Sequence, residues 1–442
     1  MTTKKFNFPT IVFLFFTIFI CSCQFIFAQS APLSEELRQA AAFLQTGQLN
    51  EAETILRRII KTTPANVDAH NLLGIVLDQK GNLKEAEREY RLALKSNPRA
   101  VSPLANLGVL LAKTKRETEA INTFEKVLQI KPNHPQATVN LGLLYSANRN
   151  YQKAVGLLKQ AAEIQPDSGD IKLNLGIVLL QTKQTDEAEK VLVSAMLLAP
   201  SNAEPIYYLG LIAYERDQNE NAGQYFQKAI ELNPNHVSAN FMLGELYAKY
   251  QRYSEAKFFY EKALELDSAK PVHHIRLGGM YLYLNEFNNA LPIFQKAAEL
   301  FSTIPEIQYF LANTFRGLGN YDKALDALKK ALLLNPVYTD ALALSGAMLF
   351  DRSEFVEAEK YLRQALAQDI NHLNANRDLG RLLVKQKRFT EALPVLKRSI
   401  KLTPDNPDSH YQLFLTYSRL GQKAEADKEL EIFKNLNKLN KK

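Results

Sequence analysis

Residues 101–134 read VSPLANLGVLLAKTKRETEAINTFEKVLQIKPNH, and the same 34-residue skeleton returns without insertion or deletion from Leu33 to Asn440. Within it, Leu107 and Gly108 fall in one apolar-periodic segment, Ala120 and Phe124 fall in a second, and Pro132 follows. Apolar residues three and four apart mark a helix face, and a proline just past such a run ends it, so the stretch predicts helix, turn, helix, turn. Steps of 34 from Ala120 meet alanine in all twelve units, from Ala52 to Ala426. Glycine recurs with Gly108 from Gly74 to Gly380, broken by Ala40, Ala312 and Phe414; proline recurs with Pro132 from Pro64 to Pro404, replaced by Ser268, Ser302 and Ile370. Glycine inside a helix costs roughly 1 kcal/mol against alanine, so its return at one position predicts a close helix crossing there. Leu107, Leu111, Phe124 and Val127 are the predicted core residues of this unit, and a bulky replacement at the alanine would overpack it.

The pattern Leu-Gly, Ala-x-x-x-Phe/Leu/Tyr and Pro at this period resembles the tetratricopeptide repeat. The resemblance covers Leu33 to Asn440 and implies an all-α fold, a right-handed superhelical solenoid of helix-turn-helix units whose first helices line a concave face. It also implies a protein-protein interaction scaffold. One departure is uniform: the family's first-helix tryptophan is missing, and Leu104, Thr138, Lys172 or Ile206 stands in its place.

At 442 residues a globular chain would hold two or three domains, but an unbroken period predicts one array, residues 33–440, in which each unit touches only its neighbours. Pro271 and Pro305 open their units where the closing proline is lost, so the period gives no domain boundary there, and Pro292 and Pro394 fall early in second helices where a missing amide bond is tolerable. Net charge is +7, with Glu and Lys interspersed as on solvated helix faces. No basic stripe of the kind a nucleic-acid site needs is present, and Lys441 and Lys442 close a short basic tail, residues 441–442.

The N-terminus reads differently. Lys4 and Lys5 precede an apolar run from Ile11 to Ile20, and residues 28–31 are Ala-Gln-Ser-Ala, a pattern that looks like a secretory signal over residues 1–28 followed by a linker at 29–32. Residues 11–28 would span about 27 Å as a helix, near the thickness of a bilayer core, so a retained anchor is a second outcome. Ile20-Cys21-Ser22-Cys23 loosely resembles a bacterial lipoprotein signal, a third. All three place the array outside the cytoplasm, exported, periplasmic or on the outer side of a membrane, with membrane contact only through this segment.

Cys21 and Cys23 are the only cysteines, so the repeats hold no disulfide, thiolate metal site or thiol nucleophile. His134, His236 and His372 each take the last position of a unit and read as turn residues; adjacent His273 and His274 read as helix-surface residues that point apart. No metal site follows from them. Phosphate-binding glycine loops, nucleophile elbows and a dinucleotide fingerprint are absent, Gly278-Gly279 lying inside a helix pattern, so we expect no catalytic residue, no cofactor and no enzyme.

Candidate binding residues lie on the first helices. Immediately before Leu-Gly stand Asn106, Asn140 and Asn174, a short ladder of amides that each donate and accept. It is similar to the asparagine ladder in the repeat region of O-linked N-acetylglucosamine transferases, with Tyr208, Met242 and Arg276 interrupting it. Asparagine is a poor helix former and costly to bury unpaired, which favours a binding role for these three. One position earlier in later units come Tyr207, Phe241, Ile275 and Tyr309, an apolar row that serves as side-chain pockets or as core. The carboxylate clamp of chaperone-binding members needs an asparagine where this chain has Ile75, Val109 and Leu143, so that mode is not expected. The sequence therefore predicts a non-enzymatic scaffold for a peptide segment or protein partner. Its alternatives are a partner subunit of a glycosyltransferase-like system and an envelope-complex assembly lipoprotein.

Overall fold

The computed structural model describes residues 35–439; the leader, linker and tail expected at 1–28, 29–32 and 441–442 lie outside the described residues. The described residues form twenty-four helices and no strand, in two compact units divided after Pro234. The first unit holds α1 (Glu35–Gln45), α2 (Leu49–Thr62), α3 (Val67–Gln79), α4 (Leu83–Ser96), α5 (Val101–Lys113), α6 (Glu117–Ile130), α7 (Pro135–Ala147), α8 (Tyr151–Ile164), α9 (Gly169–Gln181), α10 (Thr185–Leu198), α11 (Ala203–Glu215) and α12 (Asn219–Leu232). The second holds α13 (Val237–Lys249), α14 (Tyr253–Leu266), α15 (Pro271–Tyr283), α16 (Phe287–Leu300), α17 (Pro305–Gly317), α18 (Tyr321–Leu334), α19 (Thr339–Asp351), α20 (Phe355–Gln368), α21 (Leu373–Lys385), α22 (Phe389–Leu402), α23 (Pro407–Arg419) and α24 (Lys423–Leu439).

Each 34-residue step is one hairpin: α5 and α6, for example, are 13 and 14 residues long. The turn between them places Lys115 at φ 62°, with Lys115 N donating to Ala112 O at 3.0 Å and Arg116 N to Leu111 O at 2.9 Å. These are the paired bonds of a left-handed C-terminal cap, which satisfy carbonyls that a helix end leaves open. The same place in the other hairpins is left-handed too, glycine at Gly47, Gly81, Gly319 and Gly421 and a residue with a side chain elsewhere, Lys183 among them.

The period's fixed positions are the seam of the hairpin. Ala52 through Ala392 at that position are wholly buried and Ala426 is 3% exposed. Gly108 does more than admit a close crossing, because it receives the buried Phe124 ring, as Gly74 receives Tyr90 and Gly278 receives Phe294. Pro292 and Pro394 sit inside α16 and α22, which continue through them.

The turn histidines cap the helices that follow. Nδ1 of His134, His236 and His372 accepts from the amides of Ala137, Ala239 and Ala375 at 3.3, 3.1 and 3.1 Å. Burial lowers the His134 imidazole and pushes His236 down to about 4, which keeps both neutral and able to accept. The surface reading of His273 and His274 is corrected: they are 3% and 2% exposed. Backbone carbonyls in the preceding turn draw them inward, Asp267 O lying 2.7 Å from His273 Nδ1 and Ser268 O 3.0 Å from His274 Nε2.

His70 and His410 show what fills the missing tryptophan's place in two other units. Nδ1 of each lies 2.6 Å from a carboxylate oxygen, of Glu89 and Glu429, and Nε2 lies 2.9 and 2.8 Å from the carbonyls of Pro64 and Pro404. A buried carboxylate is costly unless paired and hydrogen-bonded, and here both ring nitrogens have partners.

Candidate functional site

First helices of successive hairpins pack on one another, α1 on α3, α3 on α5, α5 on α7, α7 on α9 and α9 on α11 in the first unit. In the second, α15 packs on α17, α19 on α21 and α21 on α23. A residue at one repeat position on these helices therefore has its counterpart on the adjoining helix. Such rows are the natural recognition surface of each unit.

Asn106 on α5, Asn140 on α7 and Asn174 on α9 form one such row. Asn140 Nδ2 donates to Gln136 O and Asn174 Nδ2 to Asp170 O, each at 2.8 Å and one turn back in its own helix. Each amide keeps its second N–H and its Oδ1 without a partner among the described residues. Asn106 differs, donating to Asn71 Oδ1 on α3 at 2.9 Å. Asn71 was not among the residues singled out from the sequence, because it stands one position earlier in its unit than the other three.

Carboxyls flank this row. Asp68, Glu204 and Glu215 are solvent-accessible, yet enough protein surrounds each that desolvation raises it above the usual carboxylate range. Accessible area combined with desolvation is what a concave surface produces. Tyr208, at the ladder position on α11, is raised in the same way, first by burial and then by Glu204.

The apolar row is already engaged. Tyr207 is 7% exposed and packs edge-on against Tyr208 at 5.2 Å and in a tilted contact with Phe226 of α12 at 6.0 Å. Phe241 is half-buried between Tyr260 at 5.8 Å and His273 at 5.2 Å. Ile275 is half-buried on α15, and Tyr309 is half-buried against Phe310 and Tyr338 at 5.5 and 5.4 Å. Burial raises the Tyr309 hydroxyl.

The second unit's inner face carries an arginine–aspartate cluster that the sequence reading did not single out. Arg377 grips the buried Asp378 through two bonds of 2.9 and 3.0 Å, and Arg381 lies 3.5 Å from Asp378 and 3.4 Å from Asp408. The repeat pattern gave no signal for it, since its members occupy different repeat positions. Among the described residues no group of three or more His, Cys, Asp or Glu side chains is placed to hold a metal ion. No described helix is long and apolar enough to cross a membrane.

Stacked helical hairpins whose first helices share an inner face define a class of protein-protein interaction scaffold. Sequence models described as tetratricopeptide repeat match residues 145–209, 213–275, 349–398 and 305–338, a TPR repeat matches 380–421, and the C-terminal ARM domain of tetratricopeptide repeat protein 21 matches 35–141. The chain belongs to the tetratricopeptide repeat family.

Similar solved structures include the Cut9–Hcn1 hetero-tetramer of APC/C, 15% identical over 91% of this chain and 94% of that one, at a TM-score of 0.49. Yeast Tom70 is 17% identical over 88% and 96%, at 0.39. Pseudomonas aeruginosa pilF is 22% identical over 49% and 95%, at 0.42. No curated protein matches the chain in sequence.

Proposed function

We propose that the chain is a non-enzymatic scaffold that holds an extended peptide segment or a protein partner along the first helices of α1 to α12, outside the cytoplasm. The observation that carries this reading is the pair Asn140 and Asn174, whose amides each keep a donor and an acceptor unused on adjoining helices. Such amides match a peptide backbone without demanding one sequence, so partner choice is broad.

The clean variant replaces these two by alanine, since Asn106→Ala would also delete the bond to Asn71. Capture of partners from cell envelopes on the array, identified by mass spectrometry, supplies the ligand for titration. Asn140→Ala with Asn174→Ala weakens it by roughly 0.5 to 1.5 kcal/mol for each lost bond while the melting temperature holds. Unchanged affinity removes the asparagines from the site. A large drop in melting temperature makes them structural instead.

Export rests on Lys4, Lys5 and the apolar run of the leader. A reporter that works only in the cytoplasm, fused after Lys442, should stay silent; its activity would end the export reading.

A further inference from the structure

On the inner face of the second unit, Phe350 of α19, Arg381, Val384 and Lys385 of α21, and Gln412, Leu415 and Arg419 of α23 line a cavity of about 490 Å³. Lys387 from the turn after α21 and Phe389 from the start of α22 complete its wall. That volume lies within the roughly 300–1,000 Å³ of pockets that take a small group of atoms. It is a place for a few side chains, not for a folded domain.

The lining holds four cations and no carboxylate. Arg381 is already answered, by Asp378 and Asp408 and by the Phe350 ring, which its guanidinium covers at 5.2 Å. Lys385, Lys387 and Arg419 are exposed and have no carboxylate partner among the described residues. Neighbouring cations behave otherwise: Arg363 and Arg388 share Glu359 and Glu391, with separations of 2.6 to 2.9 Å. Lys385 and Arg419 also stand 34 residues apart, at one repeat position on adjoining first helices. Three unanswered cations around an apolar floor ask for an anion that carries apolar substance with it.

We propose that this cavity is a subsite for an acidic peptide segment, whose carboxylates meet Lys385, Lys387 and Arg419 while one apolar side chain enters between Phe350, Val384 and Leu415. Charge complementarity selects the segment and desolvation of the apolar residue adds to its retention. A nucleic-acid strand suits the place less well, because Glu and Lys alternate along the repeats and leave no basic stripe for a phosphate backbone to follow beyond the cavity. The subsite is independent of the asparagine face in the other unit.

The test uses the full chain and a fluorescein-labelled twelve-residue peptide of Glu and Ser with one central Phe, read by fluorescence anisotropy. A Gln-for-Glu version should bind at least about tenfold more weakly and an Ala-for-Phe version about fivefold. Lys385→Glu, Lys387→Glu and Arg419→Glu together should weaken the Glu peptide by tenfold or more, and Asn140→Ala with Asn174→Ala should leave it unchanged. Circular dichroism checks that the charge-reversed chain is folded; if it is not, Lys385→Gln with Arg419→Gln replaces it and should cost about threefold or more. No binding of the Glu peptide, equal binding of the Gln peptide, or full binding by the folded charge variants overturns the proposal. Tighter binding of a twelve-nucleotide oligothymidylate, lost in the same variants, overturns it in favour of nucleic acid.

Discussion

A Cβ on Gly108 would lie 2.7 to 2.9 Å from three atoms of the Phe124 ring, whereas on Gly142 it would meet Leu158 at 3.0 and 3.1 Å. Both side chains are wholly buried, but contacts under 3.0 Å force the Phe124 ring to shift, while those at 3.0 and 3.1 Å ask Leu158 to give by only a few tenths of an ångström. Gly108→Ala should therefore destabilise by roughly 1 to 3 kcal/mol through overpacking. Gly142→Ala should be near neutral, its clash offset by the roughly 1 kcal/mol that alanine gains in helix propensity. Thermal and urea midpoints of the two variants check this; equal shifts would show that the ring does not set the cost. The glycine and alanine positions were legible because the same contact is made in unit after unit. His70 was not, because each unit fills the tryptophan's place by its own means. A signal did exist, since His70 precedes Glu89 by the same 19 residues as His410 precedes Glu429, while His274 has Ile293 at that spacing and a buried Nδ1 without a partner.

At the scale of the element, helices and their order could be read from the period, but the left-handed turn that closes each first helix could not. Gly47, Gly81, Gly319 and Gly421 announce it and Asn285 and Asp217 hint at it, while the other turns hold Lys, Arg, Gln or Ser, which give no such sign. Lys183 is at φ 61° and exposed; its amide donates to Leu180 O at 3.0 Å, and its side chain makes no hydrogen bond or ion pair among the described residues. A side chain in this region costs about 1 to 2 kcal/mol, and a glycine there returns about 0.4 to 1 kcal/mol of that as unfolded-chain entropy. Lys183→Gly should accordingly stabilise the chain by about 0.5 kcal/mol or a little more. Asn285→Gly should gain less, because asparagine tolerates φ 59° better than lysine tolerates its own turn. A lower melting temperature for Lys183→Gly than for the parent would show that the lysine contributes through something other than backbone geometry.

For the molecule as a whole, the sequence predicted that units touch only their neighbours, and within the first unit the packing runs from each helix to the next and between first helices of adjoining hairpins. The asparagine row was legible for the same reason, being one repeat position seen on successive helices. Asn71 escaped because it is displaced by one position, and the cavity around Lys385 escaped because its rows, Lys385 with Arg419 among them, are each only two repeats long. Nearest-neighbour packing has a measurable consequence. In such an array stability is close to a sum of hairpin and interface contributions, so a local defect lowers the cost of opening its own hairpin and the two beside it, with less effect further on. Gly108→Ala, whose overpacking sits between α5 and α6, should speed amide exchange most in those helices and next in α3, α4, α7 and α8, while α11 and α12 keep the parent's protection. Hydrogen-exchange mass spectrometry at neutral pH resolves this helix by helix. Uniformly faster exchange across α1 to α12 would mean that the first unit opens as one cooperative body, and the nearest-neighbour account of its stability would fall.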